Sequence, residues 1–328
     1  MLTKDEVKKT GIFRALQLGD LLCSIPAIRA FKNAYPSAEI TLIGLPWAKN
    51  FASRFNHYFS DFILFPGYPG LPEQKFCAND FEAFTHKIKD SSFDLILQMQ
   101  GNGTIVNSML KTLGSGYKIG FAPYADSITD KTRFLKYPDQ GHEIDRHLAL
   151  MNFIGIYSQD TSLEFPILLQ DIREFKEMAL PISKGRYICV HPGSRGKWRQ
   201  WPPLYFAAIA DYCFSLGFEI VLTGTNDELE IIKHVTALMK SPAIIAAGKT
   251  TLGSLGVLIN ESAAIICNCT GVSHVASALQ VPAVVISMDG EPGRWAPKNG
   301  ELHRCVDWTR NPDYNLVFKE VRSLLLML

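Results

Sequence analysis

The sequence lacks a surplus of charge of either sign. Its 328 residues carry 33 Lys and Arg against 32 Asp and Glu, a formal net charge of +1, with no long run of one sign. Nucleic-acid-binding proteins usually show a strong basic surplus, so the sequence argues against that class of partner. No segment is long and apolar enough to cross a membrane and no signal peptide is evident, so we expect a cytoplasmic protein.

Several motifs of well-known chemistry are also missing. The seven cysteines are scattered without a C-x-x-C pair, which suits reduced thiols better than a disulfide framework. Without G-x-S-x-G an α/β-hydrolase is disfavoured, and without G-x-G-x-x-G after the first predicted strand so is a dehydrogenase. D-x-D is absent, and His142 and His147 are too far apart for the zinc motif H-E-x-x-H. We therefore predict no metal site and interpret the segment from His142 as a polar helix start.

What the sequence does contain is a regular alternation of short apolar runs and helix-length segments. Strands are predicted near residues 12–16, 39–45, 62–65, 94–98, 117–121, 187–190, 219–222, 243–246, 264–267 and 283–287. Strands separated by helices indicate βαβ units and parallel sheets, and the length favours two domains. We expect two doubly wound domains, residues 1–165 and 166–328, with an irregular, polar loop at residues 122–141.

Two such sheets in tandem suggest a cleft between the domains. Ligands of open α/β sheets bind beyond the carboxyl ends of the strands, so the loops that follow strands are the ones to inspect. The first is Gln17-Leu18-Gly19-Asp20. We expect Ser24 to cap a helix starting at Ile25, which leaves Asp20 in the loop. The residues alone leave two interpretations equally open: a carboxylate facing the cleft, or a turn or capping aspartate.

The loop after the first strand of the second half, residues 191–202, holds three cations, two glycines and a serine. Cations beside a helix N-terminus favour an anion, so phosphate binding is preferred over an exposed basic loop without a role. Two later loops are less decided. Residues 223–228 could bind ribose hydroxyls or cap the next helix, and residues 268–274 could cradle a diphosphate, with His274 more often structural than catalytic at such a place.

Taken in order along nearly the whole chain, these loops resemble the ADP-heptose–lipopolysaccharide heptosyltransferase family (glycosyltransferase family nine). The matching segments are Leu18-Gly19-Asp20 with Pro26-Ala27-Ile28-Arg29-Ala30, Tyr35-Pro36 with Glu39-Ile40-Thr41-Leu42-Ile43, Asp94-Leu95-Ile96-Leu97-Gln98, His191-Pro192-Gly193-Ser194, Trp201-Pro202, Leu222-Thr223-Gly224 with Glu228, Gly248-Lys249-Thr250-Thr251-Leu252, and residues 270–279. The ordered set, rather than any one segment, carries the resemblance.

The resemblance implies a GT-B fold, two Rossmann-like domains facing a central cleft, with the acceptor domain first and the nucleotide-sugar domain second. It implies an inverting, metal-independent glycosyltransferase without a cofactor, moving heptose from ADP-heptose onto lipopolysaccharide core or a related glycan. The acceptor would be lipid-linked, so peripheral contact with the inner membrane is expected.

By similarity, Asp20 is the general base. Ser194, Lys197, Arg199, Thr270, Gly271 and His274 are expected at the donor diphosphate and sugar, and Gly224 and Glu228 at the nucleoside.

The chain departs from the family at two places. The family usually has lysine two residues before Trp-Pro, where this chain has Arg199, with Lys197 two residues earlier; either could serve the diphosphate. Family members commonly carry aspartate before Thr-Gly, where this chain has Cys269. Two alternatives stay open: a nucleotide-sugar epimerase of the same fold, and a non-catalytic nucleotide-sugar-binding protein, which the two departures favour.

Overall fold

Two six-stranded parallel sheets form the framework of the protein in a computed structural model that describes residues 6–114, 116–124 and 134–328. The chain divides into two compact units, Met1–Ser162 and Leu163–Leu328. We refer to them as the first and the second unit.

The first unit alternates strands with helices. Its strands are β1 (Lys9–Phe13), β2 (Glu39–Gly44), β3 (Asp61–Leu64), β4 (Leu95–Gln98), β5 (Tyr117–Ala122) and β6 (Phe134–Lys136). Its helices are α1 (Leu18–Ala34), α2 (Ala48–Arg54), α3 (Ala78–Ser91), α4 (Val106–Lys111) and α5 (Glu143–Phe153). The strands lie in the order β3-β2-β1-β4-β5-β6. The order reverses between β1 and β4, the point at which open sheets leave a ligand crevice.

The second unit repeats this plan. Its strands are β7 (Tyr187–His191), β8 (Glu219–Leu222), β9 (Ile244–Ile245), β10 (Ala264–Asn268), β11 (Ala283–Ser287) and β12 (His303–Asp307). Its helices are α6 (Leu169–Glu177), α7 (Pro203–Ser215), α8 (Leu229–Leu238), α9 (Leu252–Asn260), α10 (Gly271–Ala278), α11 (Pro292–Trp295) and α12 (Tyr314–Leu325). The strand order β12-β11-β10-β7-β8-β9 is that of the first sheet, with its reversal between β7 and β10.

Aromatic side chains fill the core of each unit. In the first, the ring of Phe13 at the end of β1 meets that of Phe65 edge-on, with centroids 4.9 Å apart. In the second, the fully buried Trp201 is the centre of a cluster, with ring centroids 5.2 Å from Tyr205 and 5.5 Å from Trp308. Because Trp201 belongs to the loop after β7, the core itself anchors that loop.

The prediction of two doubly wound α/β domains is confirmed, and each predicted strand has a counterpart in the sheets. Two strands escaped prediction, and both lie at sheet edges. Strand β6 falls in the segment expected to be an irregular loop, of which residues 125–133 lie outside the described residues. Strand β12 reads His-Arg-Cys-Val-Asp. An edge strand is only partly covered, so its composition is more polar and its apolar signal weaker.

The predicted start of the first helix is wrong. Helix α1 begins at Leu18 instead of Ile25, and Ser24 is buried inside it rather than capping it. Pro26 therefore stands in the helix interior, where it removes one backbone hydrogen bond. The preceding turns compensate with burial, since Leu21, Leu22 and Ile25 are completely buried.

Candidate active site

The first candidate residue, Asp20, lies in the first turn of α1 rather than in the preceding loop. Its Oδ2 accepts a hydrogen bond from the backbone N–H of Gln17 at 3.2 Å, which closes the turn after β1. A carboxylate is favoured there because the free N–H groups and the helix dipole both attract negative charge. The side chain stays 24% exposed. The structure thus places Asp20 at the carboxyl edge of the first sheet with access to solvent.

A completely buried arginine lies directly behind Asp20. Arg14 follows the last residue of β1, and its Nε donates to the backbone oxygen of Asp20 at 2.8 Å. Its Nη2 lies 3.9 Å from Asp20 Oδ1 and 3.4 Å from Glu143 Oε1, and its Nη1 donates to the backbone oxygen of Met99. All three nitrogens of the Arg14 guanidinium therefore have partners, and these contacts hold the turn that carries Asp20.

Glu143, at the start of α5, is the acid at the centre of this network. Arg146 Nη1 lies 3.5 Å from its Oε2, and His147 Nε2 lies 3.4 Å from its Oε1. The hydroxyl of Tyr137 lies 3.4 Å from Oε2. Taking this many charges out of water is costly, so such a cluster is weak evidence for stability and better evidence for a rigid, specified site.

In the second unit, Asn268 at the end of β10 ties down the loop that follows β7. Its Nδ2 donates to the backbone oxygens of Pro192 at 2.8 Å and Gly193 at 3.2 Å. Its Oδ1 accepts from the backbone N–H of Trp201 at 3.0 Å. Both ends of the loop are thereby fixed at the reversal point of the second sheet.

The carboxylate of Glu228 rests against two glycine backbones in the loops after β7 and β8. A Cβ added to Gly193 would lie 2.2 Å from Glu228 Cδ, and one added to Gly224 would lie 3.3 Å from its Oε2. That Oε2 also accepts the backbone N–H of Thr225 at 2.8 Å. Because neither glycine has a side chain, the two loops leave room for the Glu228 carboxylate. We call this place, beside Gly193 and Gly224, the glycine seat.

His191 lies beneath the same carboxylate. Its Nδ1 is 3.0 Å from Thr223 Oγ1, and its Nε2 is 3.8 Å from Glu228 Oε2. Burial lowers the pKa of His191, and the charge of Glu228 opposes that shift only in part. The imidazole of His191 is therefore neutral near pH 7.

The two candidate cations of the loop after β7 occupy different places. Lys197 is 85% exposed, and its Nζ lies 3.6 Å from Glu230 Oε2. It lines a cavity of about 320 Å³ together with residues that include Gln200, Trp201 and Glu228. Arg199 turns to the end of β10, where its Nη2 donates to the backbone oxygen of Cys269 at 2.9 Å and pairs with Asp289 Oδ2. The structure thus brings Arg199, and not Lys197, to the start of α10.

The remaining donor-site candidates cluster around that start. Thr270 is the N-cap of α10, and Gly271 is its first residue. His274 is buried one turn later, its ring 6.3 Å from that of Trp295. Ser194 is buried within the loop after β7 and accepts Gln200 Nε2 on its backbone oxygen at 3.0 Å.

Cys269 occupies a buried place in this cluster. Its Sγ lies 3.8 Å from the backbone oxygen of Trp295. Burial, chiefly, raises the pKa of the Cys269 thiol, with the charges of Cys305 and Asp289 adding to the shift. The side chain is therefore a neutral thiol and supplies no carboxylate to a ligand.

Sequence reasoning placed Asp20 in one unit and the other eight candidates at the carboxyl edge of the other. It missed Arg14, Glu143 and Asp289, whose partners stand up to 129 residues away in sequence. Within the described ranges 6–114, 116–124 and 134–328, no three His, Cys, Asp or Glu side chains converge as metal ligands would. Over the same ranges, no helix combines the length and apolarity that crossing a membrane requires.

Known proteins resemble this chain both in sequence and in fold. The family model for glycosyltransferase family 9 (heptosyltransferase) matches residues 81–318. The lipopolysaccharide core heptosyltransferase OpsX of Haemophilus influenzae is 23% identical over 300 residues, covering 89% of this chain and 82% of that protein. Two solved structures share the fold. A glycosyl transferase family 9 protein from Veillonella parvula has a TM-score of 0.81 at 18% identity, covering 98% of both chains. The E. coli ADP-heptose lps heptosyltransferase II has a TM-score of 0.77 at 18% identity, covering 98% of this chain and 99% of that one.

Proposed function

Since this chain belongs to glycosyltransferase family 9 and is a glycosyltransferase, we propose that it transfers heptose from ADP-heptose onto a lipopolysaccharide core or related glycan. We propose further that the transfer inverts the anomeric centre and needs no metal ion. The donor and acceptor classes rest on the relatives, one of which is a lipopolysaccharide core heptosyltransferase and another an ADP-heptose lps heptosyltransferase. The acceptor would be lipid-linked, so the enzyme would work at the inner face of the membrane.

One observation carries the donor half of this proposal. Within the second unit, a carboxylate seated on two glycines and a guanidinium beside the start of α10 lie at the carboxyl edge of one sheet. An acid at that edge suits ribose hydroxyls, and a cation beside free helix N–H groups suits phosphate. Glu228 and Gly224 would take the nucleoside. Arg199, Ser194, Thr270 and Gly271 would take the diphosphate, with His274 beside the sugar.

Arg199 rather than Lys197 is the cation proposed for the diphosphate. The guanidinium of Arg199 is bonded to the residue two positions before α10, whereas the ammonium of Lys197 pairs with Glu230 on α8 and is almost fully exposed. A guanidinium also offers its donors in a fixed planar fork that suits two phosphate oxygens at once.

Asp20 is the proposed general base. It is ionisable and partly exposed, and Arg14 and its own helix turn hold it in one orientation. The hydroxyl oxygen of the acceptor attacks the anomeric carbon of the donor from the side opposite the diphosphate, which inverts that centre. The bond from this carbon to the diphosphate oxygen breaks, the hydroxyl proton passes to Asp20, and ADP leaves. Donors held in place beforehand stabilise the charge that grows on the leaving oxygen.

Calorimetric titration with ADP, UDP and GDP, each with magnesium and with EDTA, tests the donor assignment. We expect ADP to bind with the same affinity in both buffers and the other two nucleotides to bind more weakly. A requirement for magnesium would remove the metal-independent mechanism, and preference for UDP or GDP would redirect the donor.

A transfer assay tests the reaction itself. ADP-heptose and a lipopolysaccharide core acceptor should yield a product whose new glycosidic bond has the opposite anomeric configuration to the donor, read by NMR. Consumption of the donor without any acceptor would indicate epimerase chemistry instead.

A further inference from the structure

Asp289, two residues after β11, is an acid that the motifs left unassigned. It is only 7% exposed, and both of its carboxylate oxygens are engaged. Oδ2 pairs with Arg199 Nη2, while Oδ1 accepts Ser287 Oγ at 2.9 Å and the backbone N–H of Glu291 at 3.2 Å. The end of β11 therefore presents this carboxylate in one fixed orientation.

The guanidinium of Arg199 lies 5.8 Å from the centroid of the Trp198 ring, and its hydrogen bonds all leave from one corner. Its Nη2 carries two hydrogens, and the two acceptors are Asp289 Oδ2 and the backbone oxygen of Cys269. No bond among the described residues occupies Nε or Nη1, and the side chain is 32% exposed. Because the guanidinium is planar and rigid, fixing Nη2 against two acceptors also fixes where its other three N–H groups lie.

We propose that Asp289 is a positioning residue for donor binding: it holds the guanidinium of Arg199 at one corner so that the remaining N–H groups meet the diphosphate of the nucleotide-sugar. This inference rests on the proposed function. It also accounts for arginine at this position, because a lysine ammonium is a point donor on a flexible stem and could not hold Asp289, Cys269 and a phosphate in one plane.

The pair is better suited to positioning than to stabilising the fold. Arg199 is one-third exposed, and partly exposed ion pairs add little to folding stability. Asp289 also neutralises much of the charge of Arg199 in the free protein. Diphosphate binding should then depend on the direction of the guanidinium donors more than on net charge.

The test compares ADP with adenosine, because a positioning role concerns the phosphates alone. We expect Asp289→Asn, which keeps the shape and an Oδ1 acceptor, to weaken ADP binding by roughly ten- to hundredfold, the range for losing a charge-assisted hydrogen bond. Adenosine affinity, followed by NMR titration, should stay unchanged. Arg199→Lys should cost as much despite keeping the charge, and the double variant should be no weaker than Arg199→Lys alone, since both changes remove one interaction. Asp313→Asn, a helix cap elsewhere in the unit, is the matched control.

The possible outcomes distinguish failure of the positioning role of Asp289 from failure of the proposed function. If the unmodified protein binds ADP and Asp289→Asn binds it equally well, or loses ADP and adenosine together, the inference is overturned and the proposed function stands. If the unmodified protein binds no nucleoside diphosphate, both fall. Should Asp289→Asn fail to fold, Arg199→Lys decides alone, because unchanged ADP affinity in that variant contradicts the positioning role. Should adenosine bind too weakly to measure, additive losses in the double variant would contradict it.

Discussion

The carboxyl ends of β1 and β7 occupy the same topological place in two sheets of identical strand order. The residues at these two strand ends differ in charge and in exposure. At the end of β1 lie the buried guanidinium of Arg14 and, from α5, the buried carboxylate of Glu143, while the side chain of Asp20 is 24% exposed. After β7, Gly193 has no side chain, Lys197 is 85% exposed and Arg199 is 32% exposed. The fold thus sets where a site can lie, while the loop residues differ in the chemistry that we propose for each site, a base after β1 and an anion site after β7.

Among the variants that test this difference between the two sites, Asp20→Asn should have the largest effect on activity. Loss of the proposed base should lower kcat by roughly 10²- to 10⁴-fold, the usual contribution of general base catalysis. ADP affinity should not change, because the proposed nucleotide ligands all belong to the second unit. Steady-state kinetics and calorimetry measure the two effects, with Asp90→Asn on α3 as the exposed control. Normal turnover in Asp20→Asn would remove this residue as the base.

Glu143→Gln tests how much the buried ion pairs of the first unit matter for its stability. Removing this charge leaves Arg14 and Arg146 buried without their shared carboxylate, so the free energy of unfolding should fall by about 3–5 kcal/mol. Glu320→Gln is the matched control, because Arg304 lies the same 3.4 Å from Glu320 at a partly exposed place. Its cost should be below about 1 kcal/mol. Urea unfolding of both variants measures the difference, and equal costs would mean that burial does not distinguish the two pairs.

The glycine seat of the second unit is tested by Gly193→Ala. The new methyl group would lie 2.2 Å from Glu228 Cδ, so the acid must move. Overpacking of this kind costs about 1–3 kcal/mol, and ADP binding should weaken with it. Gly300→Ala adds the same methyl group into open space and should change neither quantity. Unaltered ADP affinity in Gly193→Ala would show that the nucleoside does not depend on this seat.

The smallest expected effect concerns pH. Because burial lowers the pKa of His191 below its unfolded value, the unfolded chain takes up a proton on acidification that the folded chain refuses. Lowering the pH from 7.5 to 5.5 should therefore reduce the free energy of unfolding, by about 1 kcal/mol for this residue. His191→Gln should flatten that dependence in urea titrations, and an unchanged pH dependence in this variant would contradict the assignment. His303, whose pKa burial also lowers, accounts for part of what remains.

Sequence reasoning reached the fold because it depends on local patterns that repeat. The apolar runs of the central strands and the glycine-rich loops after them are visible within a few residues. It failed where the determinant is distant or cooperative. The residues around Arg14 do not indicate that its partner is Glu143, which lies 129 residues later. In the same way, the partner of Arg199 is Asp289, 90 residues later. The start of α1 was misjudged for a related reason, since burial by the rest of the unit outweighs the local penalty of Pro26.

The three hydrogen bonds of Asn268 also bear on the order in which the second unit assembles. The loop after β7 is fastened by a side chain that is synthesised 67 residues after Trp201. Strand β10 must have joined β7 before that fastening exists, so the loop receives its shape only when the centre of the sheet is complete. A nascent chain that has extended only past α8 would still lack Asn268, and with it the bonds that shape the proposed nucleotide site. We therefore expect the proposed ADP binding to appear late in synthesis or refolding, when the central strand pair closes, and not when the loop after β7 is first made.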